Sequence, residues 1–150
     1  MVGDQEVVYR RVRLEWARYV DGQWRLTSQA FNDQKRKPSV DRKDLRDNPE
    51  DSKLDATDGI AQLLTSEVRA TSAVIQNPLA PTAQQIPYRL DVIPRPIPAN
   101  NPEGLPENLA HAQIESDPMV DTRTRFDKIK EALVRLAMNR DWVIEPRPPV

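Results

Sequence analysis

One histidine, one arginine and one serine are the residues of this chain best placed by type and position to do chemistry. His111, the only histidine, sits in Asn108-Leu109-Ala110-His111-Ala112-Gln113-Ile114. Read as a strand, the segment puts Ala110, Ala112 and Ile114 on one face and Leu109, His111 and Gln113 on the other, because side chains alternate along a strand. The imidazole then stands off the apolar face, just after the proline-rich stretch Pro94 to Pro106. Imidazole is the side chain whose ordinary pKa suits proton transfer near neutrality. Arg10 falls on the apolar parity of the first strand, between Val8 and Val12. An unpaired buried guanidinium is costly, so Arg10 is expected to meet a carboxylate or a bound anion. Asp41 and Asp91 are the internal candidates, and a nucleotide-like anion held bidentately is the external one. Ser28 lies at the end of a neighbouring hairpin strand. If Arg10, Ser28 and His111 converge on one cleft, they form a candidate catalytic set for such an anion. The alternative for His111 is a ring hydrogen-bonded to backbone.

Other chemistries are excluded by composition. The chain has no cysteine, so disulfides, thiolate metal sites and a cysteine nucleophile are ruled out. One histidine excludes structural zinc sites, and four scattered glycines leave no phosphate-cradling loop. No metal site and no cofactor are expected. Asp47-Asn48-Pro49-Glu50-Asp51 matches no calcium-loop spacing and reads as a solvated turn. A net charge of −1 argues against a generic binder of nucleic acid or anionic membrane. The charge is unevenly spread, however. Residues 1–46 hold 11 Lys/Arg against 7 Asp/Glu, residues 47–121 hold 4 against 12, and residues 122–150 hold 7 against 4. Two basic ends around an acidic middle either pair within the fold or form separate docking surfaces.

The elements that must position these residues follow from periodicity. Residues 6–16 read as the first strand, with Val8, Val12, Leu14 and Trp16 on one parity. Asp21-Gly22 marks a hairpin between Tyr19-Val20 and Trp24 to Leu26, which Thr27 to Phe31 continue or cap. Residues 32–56 are polar and read as a long loop with one helical turn, started by Ser39 or Asp41. Ile60, Leu63, Leu64 and Val68 predict a helix over 57–70; Phe126, Ile129, Leu133 and Leu136 predict another over 122–139, capped by Asp121 or Thr122. Nine of the fourteen prolines lie from Pro78 to Pro118 and leave room there only for short strands, at 86–93 and 109–115, joined through extended backbone at Pro94 to Pro98. Trp142 to Pro146 can add a last short strand.

The pieces Tyr9-Arg10-Arg11-Val12, Ser28-Gln29-Ala30-Phe31, Pro38-Ser39-Val40-Asp41-Arg42 and Glu107-Asn108-Leu109-Ala110-His111-Ala112 resemble a group of small uncharacterised bacterial proteins. That group has an arginine-bearing first strand and a late Asn-Pro-Ala-His-Ala element. This chain departs from it at Leu109 and in its long 71–87 segment. The resemblance implies a bacterial origin and attaches no activity.

The expected architecture is a single α+β domain over residues 1–150, with a small, mostly antiparallel sheet and two helices packed on one face. Met1 to Glu6 has neither a basic nor an apolar leader region, and no stretch approaches the roughly 18 apolar residues of a membrane span. A cytoplasmic protein without a membrane partner is therefore expected. Long proline-bearing loops, segregated charge and the lack of a recognised catalytic motif favour an accessory protein that binds a protein partner, with Arg11, Arg13 and Arg95 as candidate contacts. The alternatives are an enzyme or toxin acting through Arg10, Ser28 and His111, and a nucleic-acid binder using Arg10, Arg11, Arg13 and Arg18.

Overall fold

The computed structural model describes residues 1–76 and 85–149. The expected extended backbone at Pro78 and Pro81 lies outside the described residues. Strands β1 (Val7–Val12), β4 (Ser39–Arg42), β5 (Gly59–Leu64), β6 (Ser72–Gln76), β7 (Gln85–Pro94) and β8 (His111–Asp117) form one sheet in the order β5-β1-β4-β8-β7-β6. Every described pairing in it is antiparallel. A separate hairpin joins β2 (Ala17–Val20) to β3 (Gln23–Leu26). Its turn places Asp21 and Gly22 at φ 52° and 78°, left-handed values that suit an Asp-Gly pair. Helices α1 (Thr65–Ala70) and α2 (Arg123–Met138) complete the fold.

One face of the sheet carries the core. Val8 and Val12 of β1, Val40 of β4, Leu63 of β5, Leu90 and Val92 of β7, and Ala112 and Ile114 of β8 join Val68 of α1 and Phe126, Ile129 and Leu133 of α2 in a single buried cluster. Both helices therefore pack on that face, as expected for this α+β class. α2 starts where the sequence places it, with Thr122 Oγ1 accepting the Arg125 N–H at 3.2 Å. Along the helix Lys130 pairs with Asp127 at 3.2 Å and Lys128 with Glu131 at 3.7 Å.

Three expectations are corrected. The 57–70 segment is a strand followed by a short helix, not one helix. Ile60 and Leu63 are both fully buried, on opposite faces of β5, so the strand shows no apolar/polar alternation and its spacing imitates a helix. The tail covers Ile60: Ile144 forms a single bridge to it, and Trp142 and Pro146 crowd Gly59 so closely that a Cβ there would meet Trp142 at 2.7 Å. Residues 39–42 are the strand β4, not a loop, and neither Ser39 nor Asp41 caps a helix; helical turns form instead at Ser28–Phe31 and Pro49–Ser52. The first strand stops at Val12, and Leu14–Trp16 turns into a 3-10 helix through Trp16 N–H donating to the Arg13 carbonyl at 2.9 Å. That turn sends the chain away from the sheet and into the hairpin.

Candidate functional site

The second face of the sheet is polar where β1, β4 and β8 lie side by side. Tyr9 is opposite Asp41, and Asp41 is opposite His111. Above them sit the Pro49–Ser52 turn and the loop that follows it. Asp41 is held there by three donors: Ser52 Oγ at 2.6 Å, Asn108 Nδ2 at 2.7 Å and Arg46 Nη1 at 3.2 Å. Arg11 donates to Asp58, which also accepts the backbone N–H groups of Leu54 and Asp55. Burial pushes the Asp58 carboxyl up, but the Arg11 bond and those two backbone donors outweigh it and hold the group below its ordinary value. Burial, and then the charge of Asp47, raise the Tyr9 phenol, so it is protonated at neutral pH.

Tyr9, Arg11, Asp41, Arg46, Ser52 and Asn108 border an open cleft of about 480 Å³, whose lining also includes Arg10, Arg13, Trp16, Ser39 and Leu54. The Asn32–Gln34 segment also lines it.

Arg10 is buried, as its parity predicts, but its expected carboxylate is absent from the arrangement. Asp41 is engaged as above, and Asp91 accepts Arg69 at 2.7 Å. The guanidinium instead meets three backbone carbonyls: Nε donates to Ala30 at 2.9 Å, Nη1 to Ser39 at 2.8 Å and Nη2 to Asn32 at 2.9 Å. It also lies over Trp16 and Phe31, with 5.3 and 5.7 Å from its carbon to the ring centroids. Burial lowers its pKa to about 10, with Asp33 opposing and Arg11 and Arg13 adding to the effect, so it stays charged at neutral pH. A planar fork of donors suits three carbonyls arriving from two chain segments, and carbonyls leave no trace in a sequence.

His111 lies on the polar parity, half-buried, while Ala110, Ala112 and Ile114 are buried on the other. Its Nδ1 faces the Arg95 carbonyl at 2.8 Å, and its Nε2 faces Ser39 Oγ at 3.1 Å. A carbonyl can only accept, so Nδ1 carries a proton, and in the neutral form of the ring Nε2 presents its lone pair to the serine hydroxyl.

Ser28 does not join this group. It is exposed in the turn that packs against α2, on the side of the sheet opposite His111. Ser39 is the serine that meets both other candidates, with its carbonyl on Arg10 and its hydroxyl on His111. The sequence carried one signal for it: Ser39 and Asp41 share a parity flanking Val40, inside one of the four pieces quoted above.

The candidate partner-binding arginines separate. Arg13 is half-exposed, 5.0 Å over Trp16, with Glu15 only at 3.6 Å. Arg11 is committed to Asp55 and Asp58, and Arg95 to Glu115 through bonds of 2.9 and 3.1 Å. Arg18 lies on the hairpin, opposite Arg25. Among the described residues no helix is long and apolar enough to cross a membrane. No protein-family model, no curated protein and no solved structure matches the chain.

Proposed function

We propose that this protein is an accessory module that binds a protein partner through the cleft between β1, β4 and the 49–58 loop. The observation that carries the reading is Leu54, an apolar side chain left 77% exposed at a cleft whose lining includes charges of both signs. An exposed apolar anchor beside a preorganised, stacked arginine is the composition of a protein-binding patch, in which a few such residues supply most of the affinity. Arg13 is the matching polar contact, because it keeps its guanidinium half-exposed and only loosely paired. A partner segment with an apolar side chain next to a carboxylate fits this pair.

Nucleic acid fits less well. Arg10, Arg11, Arg13 and Arg46 in the cleft are countered by Asp33, Asp41 and Asp51, whereas phosphate backbones are bound by uncompensated positive charge.

The test is a photo-crosslinking residue at position 54, with the same residue at the exposed Tyr19 as control. One predominant protein adduct is expected from position 54 only. Binding of that purified partner should weaken at least about tenfold in Arg13→Glu, the effect of losing roughly 1.4 kcal/mol at an interface. An adduct pattern identical at the two positions, or unchanged affinity in Arg13→Glu, refutes the reading.

A further inference from the structure

We propose that Ser39, on the lining of this cleft, and His111, which meets its hydroxyl, form a nucleophile–base pair able to take an acyl group from an ester that carries a negative charge. The pair uses the cleft assigned above to a partner but does not require the partner. The first argument is geometric. The Nε2–Oγ distance of 3.1 Å is within the reach needed for proton transfer from a serine hydroxyl, and the third group that orients the base is present as the Arg95 carbonyl.

The second argument is that both partners are fixed independently of each other. Arg95 and His111 bind reciprocally: the Arg95 N–H donates to the His111 carbonyl at 3.0 Å while the imidazole Nδ1 donates to the Arg95 carbonyl. Arg95 is in turn anchored by its two bonds to Glu115. On the other side, the Ser39 carbonyl is clamped by the buried Arg10, and the Pro38 carbonyl before it accepts the Ile114 N–H at 2.9 Å. Two rigid clamps thus converge on one O–H···N bond, which is the arrangement a reactive pair needs.

The third argument is access and charge. Ser39 lines the open cleft, and so do Arg11 and Arg13. Arg11 is committed to Asp55 and Asp58, so the Arg13 guanidinium, half-exposed and only loosely paired with Glu15, is the group left to meet the anionic part of a substrate.

The step balances without a metal or redox partner. Ser39 Oγ bonds to the acyl carbon as its proton moves to His111 Nε2. The tetrahedral adduct then expels the alcohol, which leaves with that proton, and an acyl-serine remains. Water attacks the acyl carbon, gives its proton to Nε2, and the serine oxygen recovers that proton as the carboxylic acid departs.

The experiment treats the purified full chain with a fluorophosphonate probe. Attack by Oγ on phosphorus expels fluoride and leaves a stable adduct, located by peptide mass spectrometry. An adduct at Ser39 is expected, with labelling slowed about 100-fold or more in His111→Gln, the loss typical of a missing general base. His111→Gln should keep its thermal midpoint near that of the parent, which separates chemistry from folding. No adduct at Ser39, or equal labelling rates with and without His111, overturns the proposal. Crosslinking through position 54 does not depend on His111, so failure of the nucleophile and failure of the partner reading give different results.

Discussion

Replacing Arg10 tests whether a buried cation is held by backbone alone. Arg10→Leu removes the donors to the carbonyls of Ala30, Ser39 and Asn32. The Ala30 carbonyl is buried, so leaving it unsatisfied costs about 1–3 kcal/mol. The other two border the cleft, where water can replace the guanidinium, and together they lose about 1 kcal/mol. Losing the stacks on Trp16 and Phe31 adds about 1–2 kcal/mol. Against this, leucine relieves the cost of keeping a cation dry. A pKa lowered from 12.5 to about 10 puts that relief near 3.5 kcal/mol, at about 1.4 kcal/mol per pH unit. The net loss for Arg10→Leu therefore lies between about zero and about 2.5 kcal/mol.

Arg10→Lys gives the sharper contrast. Lysine keeps the charge and its desolvation, but an ammonium cannot reproduce the planar fork that reaches three carbonyls. The lysine variant should be at least as unstable as the leucine variant, although it is chemically the milder change. Neither Asp41→Asn nor Asp91→Asn should restore either variant, because neither carboxylate contacts the guanidinium. Urea unfolding of the single and double variants, compared at constant slope, measures all of this. A lysine variant within about 0.5 kcal/mol of the parent would refute the reasoning, since typical exposed substitutions fall in that range.

Two further outcomes follow from the core and the loop. Leu133 is fully buried under the sheet, so Leu133→Ala should cost about 2–5 kcal/mol in denaturant melts; a smaller loss, under about 1 kcal/mol, would show that the stripe of α2 does not face the core. Asp58 has a carboxyl depressed below its ordinary 3.8 in the folded chain, so it contributes stability that is complete above that value and disappears as pH falls through the lower folded value. Acid unfolding of Asp58→Asn should lack that portion of the acid limb, and the parent and variant curves should converge at low pH; parallel curves would count against the Arg11–Asp58 contact.

The legible parts of the fold are those whose side chains answer to the core alone. β8 alternates cleanly because one side of it is buried and the other half-exposed, β1 keeps its apolar parity at Val8 and Val12 although Tyr9 and Arg10 are buried as well, and α2 shows one apolar stripe with a threonine cap. β5 reads as a helix for the opposite reason: the tail covers its second face, so Ile60 is buried as completely as Leu63 and the two-residue period is lost. β4 was hidden because half of its short length faces the cleft. With Ser39 and Asp41 committed to hydrogen bonds, Val40 is its only fully buried apolar residue, and the strand reads as a loop. Arg10 shows the remaining limit. Its burial was readable from parity, but its three partners are carbonyls contributed by residues 30, 32 and 39, which any side chain could have supplied. The contacts that define the candidate site are thus those in which backbone, or a polar side chain on an otherwise core-building strand, takes the place of an apolar pattern. Local sequence rules are expected to fail at such places, and here they fail at β4, the strand that brings Arg10 and His111 to the same residue.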